Sequence, residues 1–292
     1  MRRPLDTNAF ALMLLLTMLW GLQQVAIKLA IPNVSPVTQA AIRSAAATVL
    51  LLAWAQWRGI ALWQRDGTLR AGLVAGLLFG AEFVFIYAGL AHTTASRMVV
   101  FVYLAPILTA LGLALVVPGE RLAPVQWAGV LLAFAGIVLA FADHGSGAAS
   151  TLIGDACGAT AAVLWAATTV LVRGSRLSNA KAEKTLAYQL GVSALVLPLA
   201  ALALGEPGVM RLDALTVGSL VFQSVVVAFA SYLAWFWLLT RYLAGRLAVF
   251  SFLAPLFGVF FGVLLLGEPL TLRFVLAALC VGAGIALVNL RK

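Results

Sequence analysis

Apolar residues in this chain come in ten blocks of about twenty, the length a helix needs to cross a hydrocarbon core. The blocks run at about 9–31, 36–57, 69–91, 95–117, 123–142, 152–172, 183–204, 213–239, 245–266 and 272–290. Lipid offers no water to the backbone, so each block has to be a helix that bonds to itself. Only 10% of the residues are charged, where a soluble domain carries about a quarter. The expected fold is all-α integral membrane, with ten transmembrane helices. Turn residues mark the breaks: Pro32-Asn33 and Ser35-Pro36 after the first block, Pro118-Gly119 after the fourth, Gly267-Glu268-Pro269 after the ninth. Gly145-Ser146-Gly147 reads as a flexible joint between two halves. The first block is long enough to span and has no small-residue cleavage site after it, so it is read as a retained helix, not a signal peptide.

The formal charge of +9 reflects topology rather than a nucleic-acid partner. With the N-terminus inside, Arg2, Arg3, Arg58, Arg65, Arg70, Arg121, Arg173, Arg176, Lys181, Lys184, Arg241, Arg246, Arg291 and Lys292 fall on the cytoplasmic side. Only Arg97, Arg211 and Arg273 fall outside. That bias places both termini in the cytoplasm. Cys157 and Cys280 lie in apolar segments, and His92 and His144 are the only histidines. Neither a disulfide nor a metal centre is expected, and no cofactor. The spans hold no His cluster, paired carboxylates or Ser/His arrangement, so no catalytic residue is assigned and the chain is not read as an enzyme. It has no GxxxxGK[ST] loop for an ATP-driven pump.

One stretch occurs twice. Ala95–Pro106, ASRMVVFVYLAP, returns 149 positions later as Ala244–Pro255, AGRLAVFSFLAP, with seven of twelve positions identical. Further pairs agree: Trp20 with Trp165, Gly119-Glu120 with Gly267-Glu268, and Ala135-Gly136-Ile137 with Ala283-Gly284-Ile285. Each half holds five spans, an odd number, so the second copy enters the membrane in the opposite sense. Two inverted five-helix repeats are expected, over 1–144 and 145–292. Such repeats are the usual construction of secondary transporters, with a site near the midplane between them.

These residues together resemble the drug/metabolite transporter superfamily, in particular its ten-helix EamA-type exporters. The likeness rests on Trp20-Gly21 followed by Lys28, on Arg43, on Ala95-Ser96-Arg97 leading to Ala105-Pro106, on Gly119-Glu120, and on their second-half echoes. The resemblance implies a carrier of the bacterial inner membrane that exports small metabolites, often amino acids. Ala105, after Tyr103, stands where the aromatic-exporting branch has a bulky aromatic, which implies a roomier site and broad specificity. The expected partners are a small-molecule substrate and the bilayer, with a monomer or a weak dimer. The competing expectation is efflux of drugs or lipophilic cations.

Glu82 is the ionisable group deepest in a span, with Phe79 and Phe83 around it and Ser231 as its repeat mate. Such a group faces the interior or water and invites a functional reading, as proton carrier or as partner for an amine; a structural carboxylate is the alternative. Trp20, Gln24 and Lys28 share one helix stripe. Trp20 and Gln24 are expected to line a cavity, and Lys28 to snorkel. Arg43 is given a structural role. Tyr87, Tyr103, Trp165, Trp235 and Phe252 supply an aromatic wall, and Thr169 and Ser251 the polar groups that orient a substrate. Pro106 and Pro255 kink their helices and are expected to free the carbonyls of Val102 and Ser251. Small residues at four-residue spacing on the fifth helix (Gly129, Ala133, Gly136) and the tenth (Ala278, Gly282, Ala286) suit close helix approach or a weak dimer contact.

Overall fold

A computed structural model describes residues 5–90, 92, 95–141, 150–267 and 272–289. Among them are ten helices long and apolar enough to cross a membrane. They are α1 (Thr7–Ala30), α2 (Pro36–Trp57), α3 (Leu69–Leu90), α4 (Ala95–Val102, continuing as Ala105–Val116), α5 (Pro124–Phe141), α6 (Ser150–Gly174), α7 (Ala182–Ala203), α8 (Ala214–Arg241), α9 (Ala244–Phe250, continuing as Leu253–Leu266) and α10 (Leu272–Asn289). The Gly145-Ser146-Gly147 joint, Glu268-Pro269 and the basic residues at both chain ends lie outside the described residues, as does the boundary at 144/145.

Helix packing reveals the duplication. α1 packs on α8 and α9, as α6 packs on α3 and α4. α2 packs on α8, as α7 packs on α3, while α2 pairs with α7 and α5 with α10. Moving five places along the chain maps each contact onto another, as a twofold axis between halves requires. Five crossings reverse direction, so that axis lies in the membrane plane and the repeats are inverted.

The α5–α10 seam is the closest. A Cβ on Gly129 would lie 2.6 Å from the Gly284 carbonyl oxygen, so neither helix tolerates bulk there. Val281 and Val288 of α10 fill the hollows at Gly136 and Gly129. Of the two roles expected for the α10 stripe, close approach to α5 belongs to a different face of the helix. Gly282 and Ala286 are exposed, and the buried face is Ala277, Val281, Gly284 and Val288. Knobs on one helix against glycines on the other pack better than two smooth stripes.

α4 and α9 break rather than bend. Tyr103-Leu104 and Ser251-Phe252 form turns, and Pro106 and Pro255 fall in the first turn of the helix that follows. There a missing N–H has no intrahelical partner to lose. The expected free carbonyl at Ser251 is therefore corrected: it accepts from Ala254 N at 3.0 Å. In α8 the residues Phe222–Ser231 wind as wider π turns, which nothing in the sequence foretold.

Both ends of the bundle are tied across the halves. At the end that carries Asp6, Glu120 and Arg173 form an ion pair whose side chains are each 2% exposed. Gly119, at φ +86°, makes the turn that drops Glu120 inward. Glu120 also accepts from the backbone of Ala244 and Gly245, and Arg173 donates to the Leu239 carbonyl. Lys184 donates to Asp66 at 2.8 Å, and this ammonium with the Thr68 hydroxyl holds the Asp66 carboxyl well below the usual range. At the opposite end Glu206 accepts from Val37 N, Thr38 N and Ser35 Oγ, capping α2 from the other half. Asp213 caps α8 and accepts from Asn33 Nδ2 at 2.9 Å.

Candidate functional site

The middle of the bundle brings together charges that single helices could not tolerate facing lipid. Glu82 on α3 is 7% exposed and Arg43 on α2 is 2% exposed. Arg43 places its guanidinium carbon 4.4 Å from the centre of the Phe83 ring, a cation–π contact that a desolvated arginine favours. It lies close enough to act electrostatically on Glu82, Tyr87 and Tyr232. Glu82 nevertheless forms no ion pair within 4.0 Å among the described residues. The Nε and Nη2 atoms of Arg43 are buried without an acceptor. Arg43, expected in a structural role, is therefore buried at the centre of the bundle rather than at its rim.

Aromatic rings run from these charges toward the second half. Phe83 meets Phe79 at 5.2 Å between centroids, Phe79 meets Tyr232 at 6.0 Å, and Trp20 meets Trp235 at 5.8 Å, all edge to face. Tyr232 also touches Trp20, at 6.5 Å. Trp20 donates its indole N–H to Ser231 Oγ at 2.9 Å, and Ser231 donates on to the Val227 carbonyl. Trp20 and Ser231 come from opposite halves, so this bond crosses the interface between them. A second group joins Trp165 to Tyr103 at 5.8 Å and Tyr103 to Phe252 at 6.2 Å.

Between the two groups is a cleft of about 10 Å³ lined by Pro106, Thr109, Trp165, Thr169, Trp235, Ala248 and Ser251. That is room for about one water. The cleft draws on α4, α6, α8 and α9, so both halves line it. Thr169 and Ser251 spend their hydroxyls on their own helices, at the Trp165 and Ala248 carbonyls.

Most expected residues converge on this region, with three qualifications. Gln24, one turn from Trp20 on the same stripe of α1, is exposed and lies beside Gly258 of α9 in the other half. Gln23 is the glutamine that turns inward, at 6% exposed. Tyr87 packs near Val37, Ala40 and Leu197, toward the Glu206 end. Phe252 is fully buried, and Pro255 is buried outside the cleft. Sequence reasoning passed over Tyr232 and Thr109. Tyr232 was within reach of the repeat, since it stands 149 positions after Phe83. Among the described residues no three His, Cys, Asp or Glu side chains group as a metal site.

Ten membrane helices in an inverted duplication, with Glu82, Arg43 and aromatic rings of both halves at the centre, are the construction of a membrane carrier. The chain belongs to the EamA-like transporter family, whose sequence profile matches residues 7–142 and 152–290. It is 31% identical over 264 residues to a protein of Archaeoglobus fulgidus described as an uncharacterized transporter, covering 88% of this chain and 89% of that one. It is 27% identical over 279 residues to a probable amino-acid metabolite efflux pump of Escherichia coli, covering 92% and 90%. A solved crystal structure superposes with a TM-score of 0.82 at 22% identity, over 97% of this chain and 96% of that one. That likeness speaks for the fold alone.

Proposed function

We propose that this transporter exports amino acids and related small metabolites from the bacterial cytoplasm by alternating access. It would do so in the inner membrane, with both termini on the cytoplasmic side. The halves 1–144 and 145–292 would rock about the axis between them, opening the centre to one side and then the other. The observation that carries this reading is the buried Glu82 carboxylate inside an aromatic wall shared by both halves. An ionisable group at such depth is costly and marks an ion or substrate pathway by default, and the rings of Trp20, Phe79, Tyr103, Trp165 and Trp235 offer apolar contact near it. The name of the Escherichia coli relative points the same way. Efflux of lipophilic cations is the second reading, supported by the same carboxylate and rings.

The test is transport in proteoliposomes over a panel of labelled amino acids, with and without an imposed pH gradient. Amino-acid flux that unlabelled amino acids compete for, and lipophilic cations do not, is the expected result. Flux of cations alone selects the second reading, and no flux of either sinks both.

A further inference from the structure

Arg43 hydrogen-bonds Tyr232, which leaves two guanidinium nitrogens with nothing to donate to. It is 2% exposed, and its Nε and Nη2 atoms are buried without an acceptor. A guanidinium keeps its charge at any working pH, so this group cannot escape by deprotonating. Nor can it reach water, because it lies about 10 Å inside the end of α2. The Phe83 ring, 4.4 Å from its carbon, holds the plane of the fork. Glu82, on the neighbouring helix α3, makes no ion pair with it within 4.0 Å. The repeat mate is Gln189, equally far into α7, also buried, with both amide atoms unpartnered. It carries no charge, so the cationic fork belongs to one half alone.

A planar fork with unmet donors matches one partner best: a carboxylate, taken through two parallel hydrogen bonds. We propose that Arg43 receives the carboxylate of the transported solute. Glu82 then faces the solute's ammonium, and Phe79, Tyr232 and Trp20 its apolar side chain. The carrier so built recognises zwitterionic amino acids with apolar or aromatic side chains, and binds amines that lack the carboxylate more weakly. This rests on the exporter reading for transport but not for binding.

Three probes separate the groups: L-phenylalanine, phenethylamine and phenylacetate. Binding is read by quenching of tryptophan fluorescence in the purified, full-length protein. In the unaltered protein phenylalanine binds and phenylacetate competes with it. Arg43→Gln weakens both by roughly tenfold to a hundredfold, the loss expected for hydrogen bonds to a charged group, and leaves phenethylamine unchanged. If Arg43→Gln does not fold, Arg43→Lys, which keeps the charge and loses the fork, is judged on the same ratio. Weakening that is equal for acid and amine, or absent for phenylalanine, overturns the proposal. Phenylalanine that binds through Arg43 but is not moved in proteoliposomes sinks the exporter reading and spares the anchor. Phenylalanine that is moved in proteoliposomes while its binding is unchanged by Arg43→Gln does the reverse, and movement of phenethylamine with no binding of either carboxylate overturns both.

Discussion

The two halves share a backbone plan and differ in chemistry. Trp20 answers Trp165, Tyr103 answers Phe252, and Phe83 answers Tyr232: an aromatic residue in each place. At the charged positions the match fails. Glu82 in the first half faces only a hydroxyl, Ser231, at its mate, and Arg43 only an amide, Gln189. The mechanics of a two-sided carrier need matching helices, so packing is repeated. Recognition needs one polar solute in one pose, so charge is not. A second carboxylate at Ser231 would put two like charges in one buried centre, and neither would ionise easily. On the proposed reading, symmetry is kept where motion requires it and lost where the solute is read.

The largest test of that asymmetry is the pair Glu82→Gln and Ser231→Ala. If proton movement drives export, Glu82→Gln removes the response to an imposed pH gradient, a loss of about tenfold or more in driven flux. Ser231→Ala keeps the gradient response and costs only the Trp20 hydrogen bond, about 1 kcal/mol. Equal effects at both positions would return the halves to equivalence. Glu120→Gln comes next, because it breaks an ion pair joining the halves. It leaves Arg173 buried and unpaired, and thermal unfolding should show a loss of about 3–5 kcal/mol. Replacing both partners by apolar residues should cost less than either single change.

Much of this was legible in the residues themselves. Length and hydropathy fixed ten spans, and the doubled ASRMVVFVYLAP stretch required the inverted halves. Glu82 stood out because a lone carboxylate in a span is rare. What the residues left open has physical causes. Arg43 reads as structural from its place in α2, and only packing reveals that Phe83 of α3 and Tyr232 of α8 lie against it. Gln23 and Gln24 are one helical step apart, and which faces inward depends on the centre of the α1 interface, which periodicity leaves loose in an all-apolar helix. The π turns of α8 have no compositional signature. Ser251 follows a rule about proline in mid-helix, whereas the helix stops before Pro255.

α10 offers a comparison of two faces two residues apart. Gly284→Leu drives a side chain into Ala133 N, which a Cβ would already approach to 2.7 Å. Gly282 has nothing within 4 Å, so Gly282→Leu should fold like the unaltered protein. Overpacking costs about 1–3 kcal/mol or more, and Gly284→Leu should show it as a lower melting temperature. A reversal, with Gly282→Leu the damaged one, would mean that the exposed stripe is covered by a second copy.

The smallest effect concerns the loops that tie the halves at their ends. The Thr216 amide and hydroxyl, with Asn33 Nδ2, hold the Asp213 carboxyl below its ordinary range. The ionised form is therefore favoured more in the folded protein than in the unfolded chain, whose carboxyl titrates near about 3.9. Its contribution is complete above that value and is lost as the pH falls through the lower, folded one. The melting temperature should decline on acidification below pH ~4, and Asp213→Asn should flatten that decline while lowering the neutral-pH value slightly. Asp66, held down chiefly by Lys184 at the other end, should behave the same way. If Asp66→Asn flattens the acid decline and Asp213→Asn does not, the tie at the Asp6 end dominates and the two ends of the bundle are unequal in strength.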